Sequence, residues 1–336
     1  MYRGGPVLTR ESTRCAENAG QSGPRRDAIA IAADRVPSFD VIALGGVCWD
    51  LLGIIPFYPG LDEKVAMSEL SQQGGGQAGT GIATVARLGG RAAIFARIGG
   101  DDFGRHIRRT FEEEGVDTTW LVEVPDATSQ FAFCAIDEKT GKRTIFYIHG
   151  TKGKFAPEDL DREALLDCRC LLVDGHHNVA AAAAVRWARE AGLPVVLDLE
   201  RPQAQDEMLV ANASHPIVPE RYALQLTGEE HIEQAGRAML ERGPEVVVVT
   251  RGPGGSVAFT DNEVIREPAI PVEPIVDTTG AGDVFHGAFA YGIALGYDLR
   301  ENLRFSSAVA AIKCRSLGGR AGIPTMPQVR EFLQSH

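Results

Sequence analysis

The chain of 336 residues has no excess of basic charge: 34 Lys and Arg stand against 45 Asp and Glu, a net charge of −11. A general electrostatic attraction to nucleic acid or to an anionic lipid surface is thereby excluded, and a small-molecule ligand becomes the expectation. The six cysteines include no Cys-x-x-Cys pair and no zinc-type Cys/His spacing. A chain this long needs no disulfide framework, so they read as reduced thiols of a cytoplasmic protein. No apolar run is long enough to span a bilayer, since the stretch from Val41 to Leu61 is cut by Asp50 and by Gly and Pro. Residues 1–37 lack the apolar core of a secretory signal and read as a flexible tail before a folded region at 38–336. There is no internal repeat and no Gly-x-x-x-x-Gly-Lys-Ser/Thr phosphate loop; the nearest stretch, Gly99 to Arg105, has Arg where Lys is needed. Asp102-Phe-Gly104 mimics a protein-kinase motif, but no His-Arg-Asp loop precedes it.

Ordered patterning begins at Phe39-Asp-Val-Ile-Ala-Leu-Gly-Gly46, a short apolar run ending in glycines, as expected of a buried strand delivering its chain to a site at the sheet edge. Residues 62–73 and 128–149 alternate polar and apolar positions, which predicts a small separate sheet with one solvated face. Elsewhere helices alternate with β-branched runs: strands at Ala92 to Ile98, Leu171 to Val173, Val195 to Leu199 and Val246 to Thr250, helices at Phe103 to Glu114, Ala180 to Ala191, Gly280 to Gly296 and Leu303 to Cys314. That alternation predicts a doubly wound, mainly parallel α/β sheet covered on both faces.

The richest stretch is Asp277-Thr-Thr-Gly-Ala-Gly-Asp-Val-Phe-His-Gly-Ala-Phe289, a polar glycine turn running into an apolar helix. Amides at Gly280, Ala281 and Gly282 would have no intrahelical partner and could grip an oxyanion. Asp283, in the same first turn, could take a proton from a hydroxyl beside that anion, or could simply stabilise the helix N-terminus. The stretch resembles the C-terminal motif of the ribokinase/PfkB-type carbohydrate kinases. From about residue 39 to 330 the chain is similar to that family in order, through Gly45-Gly-Val-Cys-Trp-Asp50, Gly74-Gly-Gly76, Arg97-Ile-Gly-Gly-Asp-Asp-Phe-Gly104, Thr227-Gly228 and Val249-Thr-Arg-Gly252.

The resemblance implies a ribokinase-like fold with a small β lid from about 52–73 and 127–149, and transfer of phosphate from ATP to a primary hydroxyl of a sugar. It makes Asp283 the base and Gly280, Ala281 and Gly282 the anion hole. It places Asp50, Gly75, Gly76 and Thr80 at the sugar, with Thr250, Gly252, Gly255 and Thr278 at the nucleotide. Magnesium is implied, a potassium ion near Asp277 and Thr279 is admitted, and pairing of two copies through their lids is expected.

Where many members carry Asn-x-x-Glu, this chain has Pro219-Glu-Arg-Tyr222, so the carboxylate usually linked to magnesium is missing. Asp198 and Glu200 are the substitutes expected here, on the premise that a continuing strand points both the same way. The triple glycine with Thr80, Asp174-Gly-His-His177 and Phe285-His286 resemble the branch holding 6-deoxy-6-sulfofructose kinase, which implies a ketose-like acceptor. His176 falls where open α/β sheets gather ligands, while His177 and His286 also read as plain surface or core histidines. Arg143 either reaches an anionic substrate tail or is an ordinary strand arginine. Two other classes stay open: an NAD(P)-dependent oxidoreductase using Gly74-Gly-Gly-Gln-Ala-Gly79 as a dinucleotide turn, and a catalytically weak sugar sensor on the same fold.

Overall fold

The computed structural model describes residues 36–336. The strands are β1 (Phe39–Leu44), β2 (Cys48–Ile55), β3 (Glu69–Gly75), β4 (Ala92–Gly99), β5 (Val116–Asp117), β6 (Leu121–Val124), β7 (Phe131–Asp137), β8 (Arg143–Ile148), β9 (Cys168–Asp174), β10 (Val195–Asp198), β11 (His215–Pro219), β12 (Val247–Thr250), β13 (Ser256–Phe259) and β14 (Val264–Glu267). The expected tail falls almost wholly outside the described residues.

Among the described residues the large sheet runs β14-β13-β12-β11-β10-β9-β1-β4-β5, with β6 alongside β4. It is parallel from β12 to β5 and ends in an antiparallel edge, β12-β13-β14. Its central strands are mainly apolar because both faces are covered. Along β1, Val41 and Ala43 enter the core beneath the helices Gln77–Arg87, Ala281–Leu295 and Leu299–Lys313, whereas Ile42 and Leu44 enter the core on the opposite face.

The chain leaves β1 to one side, through β4 and β5, and returns to the other side at β9. The strand order therefore reverses between β1 and β9, the position at which open α/β sheets leave a crevice beyond their C-terminal ends.

A second sheet, β3-β2-β7-β8, stands apart from the first. Two expectations need correction here. Residues 62–68 form no strand; the ladder with β2 starts only at Glu69. The small sheet instead starts earlier, at Cys48, directly after the glycines that end β1. And β8 has no covered face: all six of its residues are exposed, because it is an edge strand with nothing packed across it in a single chain.

Candidate functional site

Gly45 and Gly46 follow β1, and their lack of side chains is what admits the neighbouring acid. A Cβ on Gly45 would sit 2.3 Å from the Asp174 carboxyl, and one on Gly46 would lie 2.6 Å from the His176 ring. Asp174, buried at the end of β9, accepts from the amides of Gly46 (2.7 Å), His176 (2.8 Å) and Ala78 (3.1 Å). His176 Nδ1 lies 3.2 Å from the same carboxylate. Although burial opposes ionisation of Asp174, the charge and proton of His176 and these amides outweigh it and hold the carboxyl down to about 2. Asp174 thus ties the end of β1, the end of β9 and the first turn of the Gln77–Arg87 helix together.

The small sheet brings Asp50 to the same crevice. On β2, its carboxyl occupies space left by Gly75, where a Cβ would come within 2.0 Å of Asp50 Oδ2. Burial raises its pKa, partly offset by the Cys48 thiol and the charge of Arg320. Gly76 adopts φ 87°, and a side chain there would strike the Gly46 carbonyl. Gly74 to Gly79 therefore spans the end of an antiparallel strand and the start of the Gln77–Arg87 helix, and packs on Asp50, Arg320 and Gly46. This is not the first βα turn of a parallel sheet, so the dinucleotide reading lacks its structural context. Thr80 is buried and faces Gly319.

The late glycine stretch lies across the crevice. Gly280 takes a left-handed φ of 72° and caps the helix Ala281–Leu295. Its amide and that of Gly282 bond to no protein group among the described residues, and nothing lies within 4 Å of where a Gly282 Cβ would be. Ala281 departs from expectation: its N–H already closes a turn onto the Thr278 carbonyl at 3.2 Å. Asp283, half-buried in the first turn, is pushed up to about 7 by burial and by the nearby Glu200 charge, with Arg143 opposing. This helix and Gln77–Arg87 meet at glycines, since a Cβ on Gly287 would lie 2.1 Å from the Gly81 carbonyl, and that close approach fixes Asp283 relative to Gly75 and Gly76.

Asp198 ends β10, so the strand does not continue to the exposed Glu200 and the premise of a shared face fails. Asp198 Oδ1 accepts from Gln77 Nε2 at 2.9 Å, while Oδ2 is buried without a hydrogen-bond partner, 3.4 Å from His286 Nδ1. Burial and the charges of Asp283 and Glu200 raise Asp198 well above the usual carboxylate range. His286 is a buried bridge: Nδ1 lies 2.6 Å from the Gly282 carbonyl and Nε2 2.8 Å from that of Ile217. His177 is core, its Nδ1 accepting from the Phe155 amide. Tyr222 is fully buried and donates to Asp206, leaving no role at a metal for the position of the missing carboxylate. Among the described residues no cluster of three or more His, Cys, Asp or Glu is arranged to hold a metal.

Arg143, on β8, donates from Nη1 to the Thr278 hydroxyl at 3.4 Å, so it faces the late glycine loop. Thr250 donates to the Val218 carbonyl, and Gly252 and Gly255 form the turn into β13. A Cβ on Gly255 would strike the Glu267 carbonyl, so packing alone demands that glycine. The potassium expectation does not fit: the Lys313 ammonium donates to the carbonyls of both Asp277 and Thr279.

A cleft of about 870 Å³ lined by Ser38, Phe39, Arg91 and Thr119 lies at the N-terminal ends of β1 and β4, away from these acids. Lys313, Asp174 and Gln77 were missed by sequence reasoning because each has a decisive partner far along the chain, 34, 128 and 121 residues away respectively.

A family model described as pfkB family carbohydrate kinase matches residues 41–326. The chain is 27% identical to a 5-dehydro-2-deoxygluconokinase of Geobacillus kaustophilus, covering 90% of this chain and 96% of that one. A putative ribokinase from Agrobacterium tumefaciens superposes with a TM-score of 0.80 at 31% identity, covering 88% and 98% of the two chains. An Arabidopsis thaliana ribokinase complexed with ribose and ATP gives 0.78 at 25% identity, covering 89% and 99%.

Proposed function

Because this chain belongs to the pfkB family of carbohydrate kinases, we propose that it transfers the terminal phosphoryl group of ATP to a primary hydroxyl of a small sugar derivative, with Asp283 as the base. The observation that carries this reading is the pairing of Asp283 with the unbonded amides of Gly280 and Gly282, across a crevice from Asp50. A carboxyl poised near 7 is well matched to taking a hydroxyl proton at neutral pH. Amides held in place before the reaction stabilise charge on the moving phosphoryl group without reorganising.

Asp50 accepts from a sugar hydroxyl, the missing side chains of Gly75 and Gly76 let the sugar approach the backbone, and the outward nitrogen of His176 adds a contact at its edge. Arg143 and Thr278 attend the phosphates, while Thr250 and Gly252 border the nucleotide. The likeness of Asp174-Gly-His-His177 and Phe285-His286 to the sulfofructose kinase branch favours a ketose-like acceptor. ATP as donor is supported by the Arabidopsis ribokinase complex.

Magnesium fits the acids present. The orphaned Asp198 Oδ2, and the carboxyls of Asp198 (raised by burial and by Asp283 and Glu200) and of Asp283 (raised by burial and by Glu200), are what a cation would relieve. When bound, such an ion supplies positive charge to the phosphates. The small sheet acts as the lid, shutting water out of the transfer. Its uncovered strand, with Phe146 and Ile148 more than half exposed, suits pairing with a second copy.

The test is ADP release from ATP over a panel of pentoses, ketoses, sugar acids, sulfosugars and nucleosides. The reading predicts sugar-dependent ADP formation and a sugar phosphate product. Sugar binding without turnover would instead support the sensor class, and NAD(P) reduction without ATP use would support the oxidoreductase.

A further inference from the structure

Lys313 ends the helix Leu299–Lys313 with no solvent exposure at all. An ammonium is seldom buried this deeply unless its donors are matched, because an unpaired buried charge is strongly unfavourable. Its partners come from the late glycine stretch: Nζ donates to the Asp277 carbonyl at 2.9 Å and to the Thr279 carbonyl. The Asp277 carboxylate is fully buried beside them, accepting from the Thr279 amide (2.8 Å), the Thr279 hydroxyl (2.7 Å) and the Gly318 amide (2.8 Å). Amides of Val276 and Asp277 bond in turn to the Cys314 carbonyl. Two inward carbonyls next to a carboxylate make the kind of oxygen cradle in which a desolvated monovalent cation sits. Here the positive charge in it is covalently part of the chain, and a metal ion at the same carbonyls would be repelled at contact distance.

The geometry also states what this charge does. In a trans peptide the C=O and the following N–H point opposite ways. Drawing the Thr279 carbonyl toward Lys313 therefore turns the Gly280 N–H away from it, where it bonds to none of the described residues. The Asp277 carbonyl fixes the Thr278 N–H in the same manner. We propose that the Lys313 ammonium is a built-in substitute for a monovalent cation, orienting the glycine-loop amides so that the protein works without potassium. Lys313 is a positioning residue, acting through the backbone of 277–280.

The experiment follows turnover and thermal melting of the full chain, titrated with potassium chloride against choline chloride at constant ionic strength. The wild type is expected to show no saturable response to potassium in either readout. Lys313→Ala, which empties the cradle, is expected to lose about tenfold to a hundredfold in kcat. It should then regain part of it, and melt higher, with potassium or ammonium but not with choline. Lys313→Met keeps most of the packing volume and tests the charge alone; it should lose kcat to a similar extent. The proposal is overturned if wild-type turnover or melting temperature rises saturably with potassium, if Lys313→Met turns over like the wild type in choline, or if folded Lys313→Ala responds to no cation. Should the alanine variant not fold, the wild-type titration and Lys313→Met still decide. The activity arm rests on the kinase reading and the melting arm does not, so failure of one is distinguishable from failure of the other.

Discussion

The two glycine stretches, Gly74 to Gly79 and Gly280 to Gly282, look alike as sequence and are opposites as structure. In the first, the missing side chains are replaced by neighbours: Asp50 fills the place beside Gly75, Arg320 that beside Gly74, and the Gly46 carbonyl that beside Gly76. In the second, nothing among the described residues lies within 4 Å of a Gly282 Cβ, and the amides of Gly280 and Gly282 have no partner among those residues. Glycine thus serves two purposes within one site. On the proposed reading, the first stretch yields its volume so that a buried acid can stand beside the sugar, and Gly282 leaves its volume open so that an anion can come to the backbone, while at Gly280 that place is taken by the Gly319 backbone.

The comparison breaks most visibly at the acid inside the second stretch. Asp283→Asn should lower kcat by about 10²–10⁴-fold, with little change in ATP affinity, measured by steady-state kinetics and nucleotide binding. In the wild type, kcat/KM should fall on the acid side with an apparent pKa near 7, as the base takes up its proton. Stability runs the other way. A carboxyl raised from 3.8 to about 7 keeps its proton in the folded state while the unfolded chain has lost it, so folding loses stability as pH rises from about 4 to 7. Asp283→Asn removes that penalty, and melting scans should show it more stable than the wild type at pH 8 but not at pH 4. A variant no more stable than the wild type at pH 8 would mean the carboxyl is not strained.

Next in size is Gly75→Ala. The new methyl would lie 2.0 Å from Asp50 Oδ2, so the acid must swing away or β3 must shift. Overpacking of this kind costs about 1–3 kcal/mol, and the sugar KM should rise at least tenfold while the ATP KM stays put. An unaltered sugar KM would detach Asp50 from the acceptor and leave the first stretch with a packing role only.

How much of this could be read beforehand follows from the range of the interactions. The α/β class was legible in runs such as Val247 to Thr250, because burial on both faces leaves its mark on every residue. The late glycine motif was legible for the same local reason: turn, cap and acid lie within seven residues, 277 to 283. The small sheet was half legible. Alternation pointed to strands within 62–73 and 128–149, where β3, β7 and β8 stand in part, yet Cys48–Ile55 is apolar but for Asp50 and gave no period to read. The resemblance pointed to a cation near Asp277 and Thr279, but its occupant was not legible, since nothing in Ala-Ile-Lys313 marks that lysine as bound for a carbonyl 34 residues earlier. Local chemistry is written locally, whereas the charge that orients it comes from elsewhere in the fold.

The smallest expected effect is also the sharpest probe of the contrast. Gly282→Ala adds the same methyl as Gly75→Ala, but at a helical position where nothing lies within 4 Å. Replacing a helical glycine by alanine stabilises by about 0.5–1 kcal/mol where the site is open, so the melting temperature should hold or rise slightly. Sugar binding in the absence of nucleotide should be unchanged, because Asp50 and Gly75 are untouched. Turnover should nevertheless fall about tenfold, since the added methyl occupies ground that the phosphoryl group needs next to the Gly282 amide. A variant that is at once sturdier, intact toward the sugar and slower in transfer would separate the two stretches by function. If turnover were fully retained, the bare space at Gly282 would be incidental, and the anion would have to be held by Gly280 and Arg143 without it.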